Sequence, residues 1–302
     1  MVWVVAAGLL AGAVFHDQMA VFKPAVSYLF AYMTFTVALS CSWRDFKQAL
    51  RSPGLMLLML ALLHLFLPLV AVLSSRLFLP GQPLLQAGVI LGTATPVGVS
   101  SVIWVGLAGG NLALALTTII TDTIISPVVV PLIMFLTVGQ TVRFDVPQLM
   151  LGLIWMIVLP TLLGIAGHEL SKGHAARQWR FVNGPLNKIL LALIIATNLA
   201  VAWQSLHLLR AALPFVVSAV FLMGCAGYLC GYAAARLAKL QDSLATTLIF
   251  TVGMRNITAG LVLAMKYFSE LTAIPVVFAI LFQQPLAAVS HKLLKKGRKP
   301  PT

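Results

Sequence analysis

Thr95-Pro96-Val97-Gly98-Val99-Ser100-Ser101 and Phe250-Thr251-Val252-Gly253-Met254-Arg255-Asn256 place helix breakers and polar side chains inside long apolar runs. Each carries Val-Gly, one apolar residue and then two polar ones, and the two Val-Gly pairs stand 155 residues apart in a chain of 302. A proline or glycine that interrupts a helix at membrane depth frees backbone carbonyls and amides. Those groups are tolerated only where they are buried in protein or line a cavity. Half-helix N-termini then carry partial positive charge and C-termini partial negative charge, so both anions and cations can be held near the midplane. Ser100, Ser101, Thr251, Arg255 and Asn256 are therefore candidates for a binding or coupling site. Hydrogen-bonded glue between tightly packed helices is the simpler reading of any one of them.

The rest of the chain sets these breaks in a bilayer. Its residues are 60% hydrophobic and 9% charged, and the mean hydropathy is +1.00. Soluble domains are nearer 45–50% apolar and 25% charged, so a soluble enzyme, a disordered tail and a secreted disulfide scaffold are excluded. Apolar segments run over 2–14, 26–42, 55–78, 85–107, 111–138, 148–167, 185–203, 213–234, 243–265 and 271–290. The fold class expected is an all-α polytopic membrane protein of ten helices. Five per half makes the halves, 1–145 and 146–302, enter the membrane in opposite senses, the inverted repeat of many secondary transporters. Segments 4 and 9 hold the two breaks.

Charge sorts onto one side. Loops after odd-numbered segments carry Lys23, Arg76, Arg143, Arg210 and Lys266. Loops after even-numbered segments and the C-terminus carry Arg44, Lys47, Arg51, Lys172, Arg177, Arg180, Lys188, Arg236, Lys239, Lys292, Lys295, Lys296, Arg298 and Lys299. Cytoplasmic loops collect Lys and Arg, so both termini are expected in the cytoplasm and the chain in a plasma (inner) membrane. The net charge of +13 is then a record of topology and needs no nucleic-acid partner. Arg255 has no loop to live in, and Asp122 is the matching acid inside segment 5. Each costs about 2.5–3.5 kcal/mol at a helix centre on insertion scales, so each should face the bundle interior and seek a partner. A substrate or coupling site and a structural Arg255–Asp122 ion pair both fit.

Other features carry less. Cys41, Cys225 and Cys230 lack metal or disulfide spacing and read as packing residues. The apolar stretch 2–14 resembles a short first span more than a signal peptide. Pro68, Pro127, Pro131, Pro160 and Pro285 read as kinks. Gln283-Gln284 puts two amides in an apolar helix, where each needs a partner or water. His64, four residues before Pro68, could titrate or bind a ligand, or simply pack. No zinc motif, nucleophile elbow or phosphate-cradling loop occurs, so no catalytic residue and no prosthetic group are expected.

These residues together resemble the bile acid/sodium symporters, within the wider bile/arsenite/riboflavin transporter superfamily. The resemblance covers nearly the whole chain. It rests on Ser52-Pro53 opening segment 3, the run Gly88-Val89-Ile90-Leu91-Gly92 leading to Pro96, Gly110-Asn111, Ser126-Pro127, and Val252-Gly253-Met254-Arg255-Asn256. It implies a panel of helices 1, 2, 6 and 7 and a core of helices 3–5 and 8–10, with unwound helices 4 and 9 crossing at a central cavity. It also implies alternating-access transport of organic anions such as bile acids, sulfated steroids or pantoate-like acids.

The sodium ligands that the resemblance implies are largely replaced. A Ser-Asn pair falls on Ser101 and Val102, a Ser and a Thr on Ala115 and Ile119, and a Gln on Leu63. The helix 9 Glu and Gln fall on Thr251 and Arg255, and a substrate-contacting His-Asn pair falls on Gln283-Gln284. Sodium coupling is therefore not expected, no metal site is assigned, and a proton is a candidate coupling ion. Asp122 lies one helical turn beyond Ile119, so Arg255 is expected to take a sodium position and pair with it. The expected partners are a small organic anion and the bilayer, with no protein partner. The rivals are sodium symport through surviving hydroxyls and backbone carbonyls, a passive channel and a non-transporting receptor.

Overall fold

The computed structural model describes residues 2–42 and 53–297, and every regular element among them is helical. Arg44, Asp45, Lys47, Arg51 and Ser52 lie outside the described residues, as do Arg298 and Lys299. The helices are α1 (Val2–Val14), α2 (His16–Ala20), α3 (Val26–Ala38), α4, α5 (Pro83–Ala94), α6 (Ser100–Leu107), α7 (Leu112–Val138), α8, α9 (His174–Leu208), α10 (Leu213–Leu237), α11 (Asp242–Gly253), α12 (Ile257–Tyr267) and α13 (Glu270–Gly297). α4 joins Pro53–Ala61 to Leu67–Phe78 through a π turn, Leu62–Phe66, and α8 joins Val146–Leu153 to Leu159–Leu170 through another, Ile154–Val158. Among the described residues, six stretches are long and apolar enough to cross a membrane: Gly54–Phe78, Leu112–Val138, Val146–Leu170, Phe181–Trp203, Leu213–Leu237 and Glu270–Lys295. Trp3–Val14, Pro83–Ala94 and Ile257–Tyr267 are shorter apolar helices.

Several of these helices are apolar all round, and their outer faces carry stripes of exposed hydrophobics. Leu65, Leu69, Leu73 and Leu77 recur every four residues along α4, while His64, Leu67, Ala71 and Ser75 on the other side are buried. Leaving such a stripe bare in water would be costly, whereas lipid tails solvate it without penalty. Small residues then set the close contacts. Gly8 and Gly12 of α1 lie against α9, where an added Cβ would stand 2.7 and 2.5 Å from the carbonyl oxygens of Ala192 and Ala196. This is the small-xxx-small packing that brings membrane helices to backbone contact.

The structure adds detail to the proline readings and corrects one placement of charge. Pro68 and Pro160 are read as kinks, and each follows a π turn by two residues, with the amides of Leu67 and Leu159 reaching back five residues to Leu62 and Ile154. A proline cannot donate to the preceding turn, and widening that turn by one residue accommodates the loss. Pro127 leaves α7 unbroken, because the Ser126 hydroxyl donates to the Thr123 carbonyl that Pro127 cannot reach (2.7 Å). Arg177 and Arg180 sit in the first two turns of α9 and Lys188 further in, within the apolar stretch Phe181–Trp203, not in a loop.

Candidate functional site

The two sequence breaks are gaps between α5 and α6 and between α11 and α12. Pro96 biases the residue before it away from helix. Thr95 accordingly turns extended, with ψ 152°, and the chain does not become helical again until Ser100. The second gap has no proline. Met254 is extended (φ −124°, ψ 118°), and the Asn256 side chain caps α12 by accepting the Ala259 amide at 3.1 Å.

The gaps pair with each other as an isolated antiparallel bridge between Val97 and Arg255. The Gly98 amide donates to the Met254 carbonyl at 3.0 Å, and the Asn256 amide donates to the Pro96 carbonyl at 2.7 Å. Gly98 is needed for this approach, since a Cβ there would lie 2.6 Å from the Arg255 carbonyl oxygen. In such a pair the amides of the two facing residues point outward and must be satisfied elsewhere. Asp122 of α7 takes the Val97 amide on Oδ2 (2.6 Å), and Gln283 of α13 takes the Arg255 amide on Oε1 (2.9 Å). Tyr228 of α10 steadies this corner by donating to the Gln283 carbonyl at 3.2 Å.

Arg255 and Asp122 come to the same region, 6% and 0% exposed, but the ion pair expected between them is not formed. Asp122 Oδ1 instead accepts from His64 Nε2 at 2.5 Å. The guanidinium turns to main-chain oxygens, with Nη2 donating to Leu63 O at 2.7 Å and Nη1 to Thr95 O at 3.4 Å. Both acceptors are left over by local structure. In the π turn the Leu63 carbonyl would look for an amide at residue 68, which is proline, and the Thr95 carbonyl ends the broken α5. A carboxylate with two buried donors and a guanidinium with two orphaned carbonyls are each better satisfied than an isolated pair would be.

The remaining candidates divide. Ser101 is fully buried and its Oγ has no partner. Thr251 spends its hydroxyl on its own helix, donating to the Thr247 carbonyl at 2.7 Å. Ser100 opens α6 half-buried. Leu63 and Ile119 lie in one apolar cluster and Ala115 in another, with Val102 packed against both. Gln284 accepts from the Trp104 indole at 3.0 Å. Sequence reasoning missed Trp104, Tyr228 and the Val97 amide. An indole or phenol in an apolar run needs an acceptor, a signal that marks the first two, whereas nothing in the sequence marks a main-chain amide. Beside the bridge lies a cavity of about 60 Å³, bordered by Gly92, Gly224, Gly227, Gly253, Arg255 and Gln283 among others. That is room for a few waters, not for a bulky ligand in this conformation.

Residues 26–211 match the sodium bile acid symporter family. The chain is 37% identical over 275 residues to the uncharacterized protein YbaS of Bacillus subtilis, covering 90% of this chain and 89% of that one. It is 26% identical to YocS of the same bacterium, described as an uncharacterized sodium-dependent transporter, over 91% and 84% of the two chains. A rice chloroplast protein described as the probable sodium/metabolite cotransporter BASS1 is 30% identical over 76% of this chain and 56% of its own. With a family match over most of the chain and a relative aligned nearly end to end, this protein belongs to the sodium bile acid symporter family and is a transmembrane transporter.

Proposed function

We propose that the protein is a secondary transporter that carries small or amphipathic organic anions by alternating access and does so without sodium. Its frame is ten membrane-crossing helices in two inverted halves, 1–145 and 146–302, set in a plasma (inner) membrane with both termini cytoplasmic. Helices 1, 2, 6 and 7 form the panel, and helices 3–5 and 8–10 form the core. A single offset of 158 residues supports the repeat. It relates Val97 to its bridge partner Arg255, Pro127 to Pro285, and Asn111, whose side chain caps α7, to Ser269, whose hydroxyl accepts the Thr272 amide at the start of α13. The sequence offset of 155 is thus three short of the spatial one. Packing of α1 and α3 on α9 and of α3 on α8 agrees with the panel assignment.

The observation that carries the sodium-free reading is the guanidinium of Arg255 held by two carbonyl oxygens. A carbonyl-lined position next to a carboxylate suits a monovalent cation, and here a covalently tethered one fills it. Of the neighbouring positions that family resemblance assigns to sodium, Leu63, Val102, Ala115 and Ile119 are apolar and packed in hydrophobic clusters. The Arg255 charge can also favour an anion nearby, as guanidinium groups do for carboxylate and sulfate. Uptake into proteoliposomes of taurocholate, a steroid sulfate, pantoate and pyruvate, with a sodium gradient, a proton gradient or neither, tests the reading. We expect saturable uptake of at least one anion that is unchanged when choline replaces external sodium. We also expect Arg255→Gln to reduce it about tenfold or more, the loss of about one charged hydrogen bond. Uptake that stops in choline, or that is indifferent to Arg255→Gln, overturns it.

One observation favours a second reading, sodium symport. Ser101 Oγ is buried without a partner, so a hydroxyl is free to ligate a cation beside the break. The choline substitution separates the two.

A further inference from the structure

Three buried side-chain nitrogens and oxygens at the bridge have no partner: His64 Nδ1, Ser101 Oγ and Arg255 Nε. Of these, His64 Nδ1 belongs to a group that can change charge. Its other ring nitrogen is bound to Asp122 at 2.5 Å, and the far oxygen of the same carboxylate holds the Val97 amide of the bridge at 2.6 Å. The ring is therefore two hydrogen bonds from the backbone that joins the two halves. Asp122 serves as the link.

We propose that His64, backed by Asp122, is the site at which this transporter binds its coupling proton, and that the proton loosens the Val97–Arg255 bridge. This deepens the sodium-free transport reading and rests on it. In the conformation seen, an ionised Asp122 can only accept, so Nε2 carries the shared hydrogen and Nδ1 is a bare lone pair. With neutral His64, the charges of Asp122 and Arg255 cancel. A proton arriving from water binds at Nδ1, no other bond forms or breaks, and the cluster becomes net positive by one. The new N–H has no acceptor within reach, and a buried unsatisfied charged donor is costly. Protonation therefore disfavours this conformation relative to one in which Nδ1 meets water. The Asp122 carboxylate then follows the imidazolium and releases Val97.

Asp122 on α7 and Arg255 in the second gap are the charges facing His64. The packed part of α5 has no ionisable side chain. α4 itself brings only Arg76, three turns away in its last turn. On α10, Cys230 packs against the cluster that contains Leu63, and Tyr228 is committed to Gln283. Histidine is the side chain whose charge ordinarily changes between about pH 5 and 8.

Hydrogen–deuterium exchange of the full chain in detergent micelles, at about pH 8 and about pH 5.5 and corrected for intrinsic exchange, tests this without any substrate. For the wild type we expect the peptide spanning Thr95–Ser101 to lose about tenfold or more of its protection at the lower pH. His64→Gln keeps an amide donor for Asp122 but cannot take up the proton, so its protection should not change between the two pH values. His64→Asn is a second variant if that one does not fold. Equal wild-type protection at both pH values, or a pH step that persists in either variant, overturns the proposal. A step in exchange without anion uptake would defeat the transport reading alone, and anion uptake without a step would defeat the proton site alone.

Discussion

Asp122 holds more of this protein together than its size suggests. Fully buried on α7, it receives the ring of His64 and the amide of Val97, and it is the negative charge nearest to a guanidinium that has only carbonyls for partners. Asp122→Ala would strand two donors and uncover the Arg255 charge, for which removal of one partner from a buried charged network typically costs about 3–5 kcal/mol. Asp122→Asn keeps an acceptor for Val97 and should cost clearly less. Thermal unfolding midpoints in detergent should therefore fall in the order wild type, Asn, Ala, and equal midpoints for the two variants would show that the carboxylate is not central. The two charges were legible in the sequence because nineteen of the twenty basic residues could be placed on loops or helix ends and Arg255 could not. Their partners were not legible. Arg255 binds main-chain oxygens whose availability depends on Pro68 and on the end of α5, and His64 looked like any packed histidine until α4 and α7 were brought side by side.

At the scale of elements, proline acts through what it fails to donate. Pro68 widens one turn of α4, and the carbonyl so released anchors a side chain from the other end of the chain. Pro68→Ala restores an amide at that place, so the turn can close as ordinary helix and take Leu63 O for itself. The expected loss is that of one charged hydrogen bond, about 1.5–3 kcal/mol. It should appear as a lower unfolding midpoint, and it should not add to the effect of Arg255→Gln, because both variants remove the same contact. Full additivity in the double variant would disprove the link. The breaks themselves were readable from Pro96 and from the repeated Val-Gly pair, since both stretches do leave the helix. The register was not. Val97 meets Arg255 and not Val252, because it is Gly98 that must pass the opposite backbone. Gly98→Ala, with its Cβ 2.6 Å from a carbonyl oxygen, should therefore be far more damaging than Gly54→Ala, where nothing lies within 4 Å. Overpacking of this kind costs about 1–3 kcal/mol, readable as the difference in unfolding midpoint between the two variants.

For the whole molecule, the asymmetry of Lys and Arg across alternating loops predicts the sidedness of every segment at once. A membrane-impermeant thiol reagent applied to intact cells should label a single cysteine placed at Gly81 or Gln140 and should not label one placed at Gly173 or Lys239. Labelling in the reverse pattern would invert the proposed topology. The bridge also has a consequence for how the protein is made. The Pro96 carbonyl and the Gly98 amide find their main-chain partners at Asn256 and Met254, so the first half enters the membrane with a carbonyl and an amide unanswered. At about 5–20 residues per second of synthesis, the answering strand arrives roughly 8–30 s later. For that interval the first gap must be sheltered by the insertion machinery or by water. A chain that stops short of residue 256 is therefore left with an open seam between its two gaps.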